Sequence, residues 1–295
     1  QPGTGGGMNI GGSVFNVAAH IRRLGDDAAM LSAVGNDALG TKTLDAMKAL
    51  GVGTAYTRQV DAPTCLVRVR FDEEGQPHYS VDDYVSWDQI SVNDSDLDLL
   101  CAERFDVLCF GTLEQRNPVS RQSLRRVLDK CAFGRVYLDL TLRAPDYTAS
   151  IVEYSLSHCT IAKMNIDEAV EANRLLKMGA KDLYGFSERL MGAFPIQMVV
   201  VTLGARGAYF FDGGSPGWSA ACDIRVVDTV GAGDAFSAGL LHRLGRGDTL
   251  KEACDFAARL GSLICSAHSS IPDWRMDQVY ALQTLPQDCA NVCFR

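Results

Sequence analysis

The clearest chemical pattern in the chain is the stretch DTVGAGD, residues 228–234, which runs directly into the apolar helical pattern AFSAGLLHRL. Gly231 and Gly233 allow the backbone to approach a phosphate closely, and the helix predicted from about Ala232 points its positive end there. Asp234 adds a carboxylate to this anion site. It is either a charge that stabilises the helix N-terminus, by about 0.3–1 kcal/mol, or a general base for a hydroxyl that attacks a phosphate.

Two common phosphate-binding loops do not fit this stretch. The dinucleotide fingerprint G-x-G-x-x-G requires a glycine where Phe236 stands, and the preceding strand is not the first of the fold. A Walker A loop requires Lys followed by Ser or Thr after its last glycine, and this pair is missing. The stretch therefore indicates a phosphate site of another kind.

The segments around this stretch alternate between strand-like and helix-like patterns, which is typical of an α/β fold. Short continuous apolar runs predict strands covered on both faces, and hence a parallel sheet. These runs are 106–111, 135–140, 159–164 and 198–203, and residues 28–34 predict a further buried strand. Helical spacing is found at 14–24, 40–50, 118–130, 166–176, 232–244 and 249–265.

One region breaks this alternation. Residues 64–71 and 76–81 alternate apolar and polar side chains around the turn sequence DEEG, which predicts a β-hairpin. Such a hairpin is either a small sheet that stands off the main layer as a lid or an ordinary surface hairpin. The pattern alone favours neither.

Composition and charge exclude several classes of protein. The 295 residues are 47% hydrophobic, enough for a large core, and the net charge of −8 argues against a nucleic-acid or membrane-surface partner. No apolar run reaches the roughly 18 residues of a membrane span, and the start shows no signal-peptide pattern.

The ten cysteines include no CxxC pair, so buried free thiols and a cytoplasmic location are expected. The five histidines lack metal-ligand spacing, so core or surface positions are expected for them.

Four stretches together resemble the ribokinase-like (PfkB-type) carbohydrate kinases. DTVGAGDAFSAGLL is similar to the family's C-terminal signature, and GGSVFNVA (residues 11–18), followed by LG and AVGNDALG, resembles its N-terminal GGxxxN element. NIDE (165–168) fits its N-x-x-E motif, and VTLGARG (201–207) resembles its nucleotide-binding turn. One of these motifs would be weak evidence, but four in the right order over roughly residues 11–273 are specific.

The resemblance implies an α/β fold of the ribokinase type, a three-layer αβα sandwich with a mostly parallel central sheet and a small β-sheet lid. Residues 1–63 and 85–295 would form the nucleotide- and sugar-binding core, and residues 64–84 the hairpin lid. The family's first strand, which carries an acidic sugar ligand, should precede Gly11. Only ten residues stand there, so this strand is expected to be absent from the chain as given.

The resemblance also assigns roles to the residues that match the motifs. Asp234 matches the catalytic base, and the anion hole for the γ-phosphate is matched by Gly231, Ala232 and Gly233. Gly12 and Asn16 match sugar contacts, since an amide can both donate to and accept from hydroxyls.

Further matches concern the nucleotide and the ions. Glu168 matches a residue that holds Mg²⁺ through water, as a hard cation prefers. Nucleotide contacts are matched by Asn165, near the phosphates, and by Thr202, Gly204 and Gly207. Asp228 and the carbonyl of Val230 stand where many relatives bind a monovalent cation, so a dependence on K⁺ is left open.

Substrate choice is indicated by a fifth resemblance. Trp87-Asp88 and the segment CFGTLEQRNPVSRQSL, residues 109–124, are most similar to bacterial fructokinases, and DLTLR (139–143) resembles their D-x-N-x-R motif. The resemblance makes Arg143 a substrate-binding residue that meets a phosphate or sugar oxygen. The alternative, for Arg143 and for Arg116, is a solvated or salt-bridged surface arginine. Departures from the family pattern are found at Thr141, at Ser269-Ser270, where relatives have Gly-Ala, and at Cys65.

The resemblance implies an enzyme, an ATP-dependent carbohydrate kinase that requires Mg²⁺, with fructose as the expected acceptor and fructose 6-phosphate as the product. A ribose or nucleoside kinase of the same family shares every motif, and only the FGTLEQR segment argues against it. A non-catalytic sugar- or nucleotide-sensing relative is the second alternative, and the intact DTVGAGD argues against it. The edge strand of the lid is able to pair between subunits, which leaves a homodimer as a further hypothesis.

Overall fold

The computed structural model describes residues 10–71, 77–286 and 292–294, and the elements below belong to this part of the chain. Its α-helices are α1 (Ser13–Leu24), α2 (Ala38–Ala49), α3 (Asp94–Ala102), α4 (Pro118–Lys130), α5 (Ala149–Ser157), α6 (Ile166–Leu175), α7 (Leu183–Ala193), α8 (Ala232–Gly245), α9 (Leu250–Cys265) and α10 (Met276–Ala281). Its strands are β1 (Ser32–Gly35), β2 (Thr57–Val60), β3 (Arg68–Phe71), β4 (Pro77–Ser80), β5 (Val107–Phe110), β6 (Arg135–Asp139), β7 (Ile161–Asn165), β8 (Met198–Thr202), β9 (Ala208–Phe211) and β10 (Gly217–Ser219).

The central sheet has six strands in the order β10-β9-β8-β7-β6-β5. Strands β5 to β8 are parallel, whereas β9 pairs antiparallel with β8, and β10 antiparallel with β9. The four parallel strands are the apolar runs that the sequence predicts. Because the strands are parallel, their carboxyl ends and the loops that follow them lie along the same edge of the sheet.

Helices cover both faces of this sheet. Because side chains alternate along each strand, one strand packs against both helical layers. On β8, Val199 and Val201 pack into a cluster with residues of α5, α6 and α7. The intervening Val200 packs on the other face with residues of α8 and α9. The mostly parallel sheet between two helical layers confirms the predicted three-layer αβα sandwich.

Two small sheets stand apart from the central one. Strands β1 and β2 pair in parallel, and β3 and β4 form the predicted antiparallel hairpin. The first strand of the hairpin begins at Arg68 and not at residue 64. The reason is that Thr64 is engaged elsewhere: its amide and hydroxyl both donate to the carboxylate of Asp37, at 2.8 and 2.7 Å. A lid at 64–84 and a core at 1–63 and 85–295 stay predictions.

The expectation of free cysteines is wrong for one pair. Cys101 in α3 and Cys131, at the C-terminal end of α4, form a disulfide. The two helices pack side by side and bring these Cα atoms to 4.8 Å, across a sequence separation of 30 residues that no spacing rule reveals. Free thiols among the described residues are Cys65, Cys109, Cys159, Cys222, Cys254, Cys265 and Cys293. Cys289 and the Gly-rich start to residue 9 lie outside the described residues.

None of the helices in the described ranges combines the length and the apolar character that crossing a membrane requires.

Candidate active site

The DTVGAGD stretch forms a tight turn that leads into α8. Gly231 is the N-cap of this 14-residue helix and has φ 84, in the left-handed region. A Cβ atom on Gly231 would also lie only 2.5 Å from the Cβ of Ser270, so the position requires glycine on two grounds. The first turn of α8 leaves amide groups without intrahelical acceptors, beside Asp234. This end of the helix is therefore able to bind an anion.

The carboxylate of Asp234 is held by two side chains from α1. The hydroxyl of Ser13 donates to Oδ1 and the amide of Asn16 donates to Oδ2, each at 2.7 Å. Burial raises the pKa of the Asp234 carboxyl, and the bonds from Ser13 and Asn16 oppose this rise. Each carboxylate oxygen keeps a second lone pair for a hydroxyl proton. Asp234 thus has the placement of a base as well as that of a helix charge.

Ser13 was not predicted from the sequence, whereas Asn16 and Gly12 were predicted as sugar contacts. The structure brings all three to the N-terminus of α1, where Gly12 is the N-cap and its carbonyl accepts from the backbone N–H of Asn16 at 2.8 Å. Asn16 is 4% exposed, and its side-chain amide is already bonded to Asp234. In this arrangement Asn16 orients the carboxylate, a role that the sequence did not indicate.

A buried ion pair lies behind residues 228–234, the anion turn, and its lysine was not predicted from the sequence. Lys163 Nζ donates to both carboxylate oxygens of Asp139, at 2.8 and 3.0 Å. Both residues are about 95% buried, with exposures of 5% and 4%. The hydroxyl of Ser237 in α8 donates to Asp139 at 3.0 Å, and Tyr137 in turn donates to Ser237 at 2.8 Å. Asp139 therefore accepts two hydrogen bonds from the ammonium of Lys163 and one from Ser237.

Lys163 is close to the anion turn as well as to Asp139. Its Nζ lies 3.2 Å from the place that a Cβ atom on Gly233 would take. Desolvation by burial lowers the pKa of Lys163, but the charge and hydrogen bonds of Asp139 outweigh it, so the pKa lies above its usual value. Lys163 is thus a permanent positive charge. A lysine within the apolar run CTIAKM was the available signal, because side-chain alternation directs it to the same face as Ile161.

Asn165 ends β7 and Glu168 lies in the first turn of α6, where the two form a capping box. The Asn165 side chain accepts from the Glu168 amide at 2.8 Å, and Glu168 Oε2 accepts from the Asn165 amide at 2.9 Å. Glu168 Oε1 accepts from the Leu142 amide at 3.1 Å. Burial raises the pKa of Glu168. Its oxygens are hard donors held in place, which suits a cation bound through water.

Arg143 lies beside this carboxylate. Its Nη1 is 3.7 Å from Glu168 Oε1 and donates to the Leu142 carbonyl at 3.0 Å. The side chain is 61% exposed, so it is free to turn toward a bound anion. Within the described residues, no group of three or more His, Cys, Asp or Glu side chains is arranged to hold a metal ion directly.

The predicted nucleotide contacts follow the next strand. Thr202 is the register partner of Asn165, so these two residues are neighbours at the carboxyl end of the sheet. Gly204 and Gly207 shape the turn after β8. A Cβ atom on Gly207 would lie 1.9 Å from the carbonyl oxygen of Ser219 in β10. This close packing is by itself a sufficient reason for glycine at position 207.

The predicted cation ligands lie at the entrance of the anion turn. Asp228 Oδ1 accepts from the Val230 amide at 3.0 Å, and the Asp228 amide donates to the Cys265 carbonyl at the end of α9 at 3.2 Å. This bond ties the turn to α9. The contacts of Asp228 and Val230 neither require nor oppose a cation.

Arg116 takes the salt-bridged alternative. Its guanidinium donates to both oxygens of Asp88, at 2.9 and 2.7 Å, and lies over the Trp87 ring at 4.2 Å from the centroid. Asp88 is fully buried. Arg116 therefore fixes the segment that follows the hairpin to the loop after β5.

Two departures from the family pattern lie directly at the site. Thr141 has φ 43, a left-handed conformation that asparagine adopts more readily than a β-branched residue, and its hydroxyl donates to Asp139 at 3.3 Å. The backbone of Ser270 packs against Gly231. Both substitutions therefore contact the residues that surround the anion turn.

The chain is similar in sequence to several sugar kinases. It is 29% identical over 254 residues to the ATP-dependent 6-phosphofructokinase of Thermoanaerobacterium thermosaccharolyticum, which covers 83% of this chain and 76% of the relative. It is 25% identical over 290 residues to the probable fructokinase-7 of Arabidopsis thaliana, with coverages of 93% and 83%.

Solved structures share the fold. The fructokinase from Vibrio cholerae O395, in a fructose-, ADP- and calcium-bound form, superimposes with a TM-score of 0.77 at 24% identity and covers 92% of this chain and 90% of that chain. The fructokinase from Xylella fastidiosa with bound ATP gives a TM-score of 0.78 at 20% identity, with coverages of 92% and 89%. These likenesses support the ribokinase-type architecture seen here.

The family described as pfkB family carbohydrate kinase matches residues 3–276, which include every motif that carried the resemblance. The anion turn at α8, the carboxylate beside it and the capped Asn165–Glu168 pair all lie within this match. The chain belongs to the PfkB family of carbohydrate kinases.

Proposed function

We propose that this sugar kinase transfers the γ-phosphate of ATP to fructose, with Asp234 as the general base and fructose 6-phosphate as the product. The observation that supports it most strongly is the Asp234 carboxylate, held by Ser13 and Asn16 at the N-terminus of α8, where an anion would bind. Fructokinases among the relatives and structural neighbours, one of them with bound fructose, support the choice of acceptor.

The proposed transfer uses the backbone amides and the carboxylate of the anion turn. The amides of Gly231, Ala232 and Gly233 bind the γ-phosphate oxygens, and Asp234 accepts the proton of the attacking sugar hydroxyl. The sugar oxygen forms a bond to the γ-phosphorus as the bond to the bridging oxygen of ADP breaks, so ADP leaves with that electron pair.

Lys163 contributes the positive charge in this proposal. Its ammonium lies next to Gly233 and is held in place by Asp139. It therefore stabilises the negative charge that develops on the transferred phosphoryl group and needs little reorganisation to do so. Asp139 keeps the ammonium charged and oriented. Gly12 and Asn16 place the sugar, while Thr202, Gly204 and Gly207 lie along the nucleotide.

The residues at the end of β7 fit a magnesium ion bound through water. In this proposal Glu168 accepts hydrogen bonds from the water ligands of Mg²⁺, and Asn165 lies beside the phosphates. The Mg²⁺ ion would neutralise part of the triphosphate charge there. Asp228 and the Val230 carbonyl are the proposed ligands of a monovalent cation, for which K⁺ is the candidate.

Glu168→Ala is expected to raise the Mg²⁺ concentration required for half-maximal activity by roughly 10- to 100-fold, the usual cost of losing such a ligand. The measurement is a Mg²⁺ titration of the initial rate at fixed ATP. Glu252→Ala is the matched control, because Glu252 closes a capping box of the same kind at α9. An unchanged titration for Glu168→Ala would remove this residue from the metal site.

A substrate panel tests the acceptor. ADP release is measured with fructose, fructose 6-phosphate, ribose and nucleosides, each with and without K⁺. Fructose is expected to give the highest kcat/KM. If ribose or a nucleoside ranks first, the acceptor assignment is wrong and the kinase assignment stands. If no acceptor yields product above ATP hydrolysis, a sensing role replaces the catalytic one.

A further inference from the structure

His20, a residue of α1, is completely buried, and both of its ring nitrogens are hydrogen-bonded. Nδ1 lies 3.1 Å from the indole nitrogen of Trp274, and Nε2 lies 2.9 Å from the carbonyl oxygen of Ser270. An indole N–H can only donate, so Nδ1 accepts, and Nε2 carries the proton that it donates to Ser270. Burial is the main cause that lowers the pKa of His20, to about 4, and the positive charge of Arg23 lowers it further. The hydrogen bond to the Ser270 carbonyl raises this pKa but does not offset the burial. The ring is therefore neutral and held in one tautomer.

The segment that His20 holds lies directly against the anion turn. A Cβ atom on Gly231 would be 2.5 Å from the Cβ, 2.7 Å from the Cα and 2.9 Å from the carbonyl oxygen of Ser270. The carbonyl that accepts from His20 is thus the one in contact with Gly231. The Ser270 hydroxyl is also 3.4 Å from the Asn16 side-chain oxygen.

The helix that carries His20 also carries the partners of the base. His20 follows Asn16 by four residues in α1, so both side chains lie on the same face of the helix. Helix α1 therefore contacts the start of α8 in two ways. Ser13 and Asn16 bond to Asp234 directly, and His20 reaches Gly231 through Ser270.

We propose that His20 is a positioning residue for phosphoryl transfer. By bonding to the Ser270 carbonyl it holds the Ser270 backbone against Gly231, which keeps the anion turn aligned with Asp234 and Asn16. Trp274 assists by donating to Nδ1, which holds the ring in the orientation that reaches Ser270. The inference rests on the proposed function of the turn as the γ-phosphate site.

His20→Ala is expected to lower kcat by roughly 10- to 100-fold, the scale of a small misplacement of catalytic groups, with a much smaller change in the KM for sugar. His242→Ala is the matched control. His242 is also a buried histidine with a side-chain partner, since its Nδ1 lies 2.6 Å from Asp26 Oδ2, but it is in the last turn of α8, away from the anion turn. This control should lose stability and keep its kcat.

His20→Gln distinguishes positioning from packing. A glutamine amide can donate to the Ser270 carbonyl, so this variant should recover most of the kcat that alanine loses. If His20→Ala does not fold, His20→Gln and Trp274→Phe carry the test. Trp274→Phe removes the indole N–H that donates to Nδ1 and keeps an aromatic ring, so the His20 ring is held by the Ser270 carbonyl alone and kcat should fall less than in His20→Ala.

Hydrogen exchange in the absence of substrate gives a readout independent of activity. The Ala235 amide donates to the Gly231 carbonyl at 2.9 Å, and its exchange should accelerate in His20→Ala but not in His242→Ala. If both variants show the same exchange and the same kcat, His20 is only a packing residue and the inference is wrong. If exchange accelerates while Asp234→Asn remains fully active, the contact stands and the proposed role of the turn fails instead.

Discussion

Replacing Asp234 with asparagine is expected to lower kcat by roughly 10²- to 10⁴-fold, the usual contribution of a general base. The amide cannot accept the hydroxyl proton, yet it matches the carboxylate in size. Its oxygen can accept from Asn16, and its N–H can donate to the Ser13 hydroxyl, because a hydroxyl serves as donor or acceptor. The fold and the affinity for ATP should therefore remain close to those of the wild type.

Steady-state kinetics and calorimetric titration with ATP measure the two quantities separately. Asp277→Asn is the matched control, since Asp277 lies in the first turn of α10 and is a helix charge paired with Arg275. If Asp234 were only such a charge, its replacement would cost about 0.3–1 kcal/mol of stability and leave kcat unchanged. A variant that retains a tenth of the wild-type kcat would rule out Asp234 as the base.

The pH dependence of kcat gives a related expectation for Ser13. Asp234 acts as a base only when ionised, so kcat falls as the pH drops through its pKa, which burial raises above the ordinary value. The bond from Ser13 favours the ionised form and lowers this pKa. Ser13→Ala should therefore move the acidic limb of the kcat profile to higher pH, whereas an unmoved limb would show that another group titrates there.

Replacing Lys163 with methionine is expected to cause the largest loss of stability, about 3–5 kcal/mol, the cost of leaving a buried charge without its partner. Asp139 would keep its hydrogen bond from Ser237 but lose the ammonium that bonds both of its oxygens. The free energy of unfolding from denaturant titration is the measurement, and kcat is measured under conditions where the variant remains folded.

A double variant separates the structural role of Lys163 from its proposed catalytic role. Lys163→Met combined with Asp139→Asn removes both charges, so most of the stability should return. If the ammonium acts on the phosphate, kcat should stay low by roughly 10²- to 10³-fold, the cost of losing one such donor. Recovery of kcat together with stability would make the ion pair purely structural.

The regular elements were largely predictable from the sequence. The spacing at 118–130 predicts a helix with the bounds that α4 has, and the run MVVVTL predicts β8 to within one residue. Such elements depend on periodicity and on residues close in sequence. The start of the hairpin was misplaced because Thr64 bonds to Asp37, which is 27 residues away.

The Cys101–Cys131 disulfide shows the same limit. Each cysteine lies in or beside an amphipathic helix, and its local pattern is that of an ordinary apolar position. Only the packing of α3 on α4 brings the two together. Spacing along the chain carries no information about that packing.

By itself, the sequence determined the class of fold and the glycine turn before α8, and it predicted Asp234 as the base, because glycine backbones, helix starts and apolar runs act over a few residues. The tertiary structure decided which groups surround that carboxylate. Ser13 and Asn16 are 221 and 218 residues from Asp234, and Ser270 is 250 from His20. Lys163 was visible as a charge in a buried strand, but its partner and its place behind Gly233 depend on how α8 packs on the sheet. Hydrogen bonds of this range are set by the packing of whole elements, which local propensity does not encode.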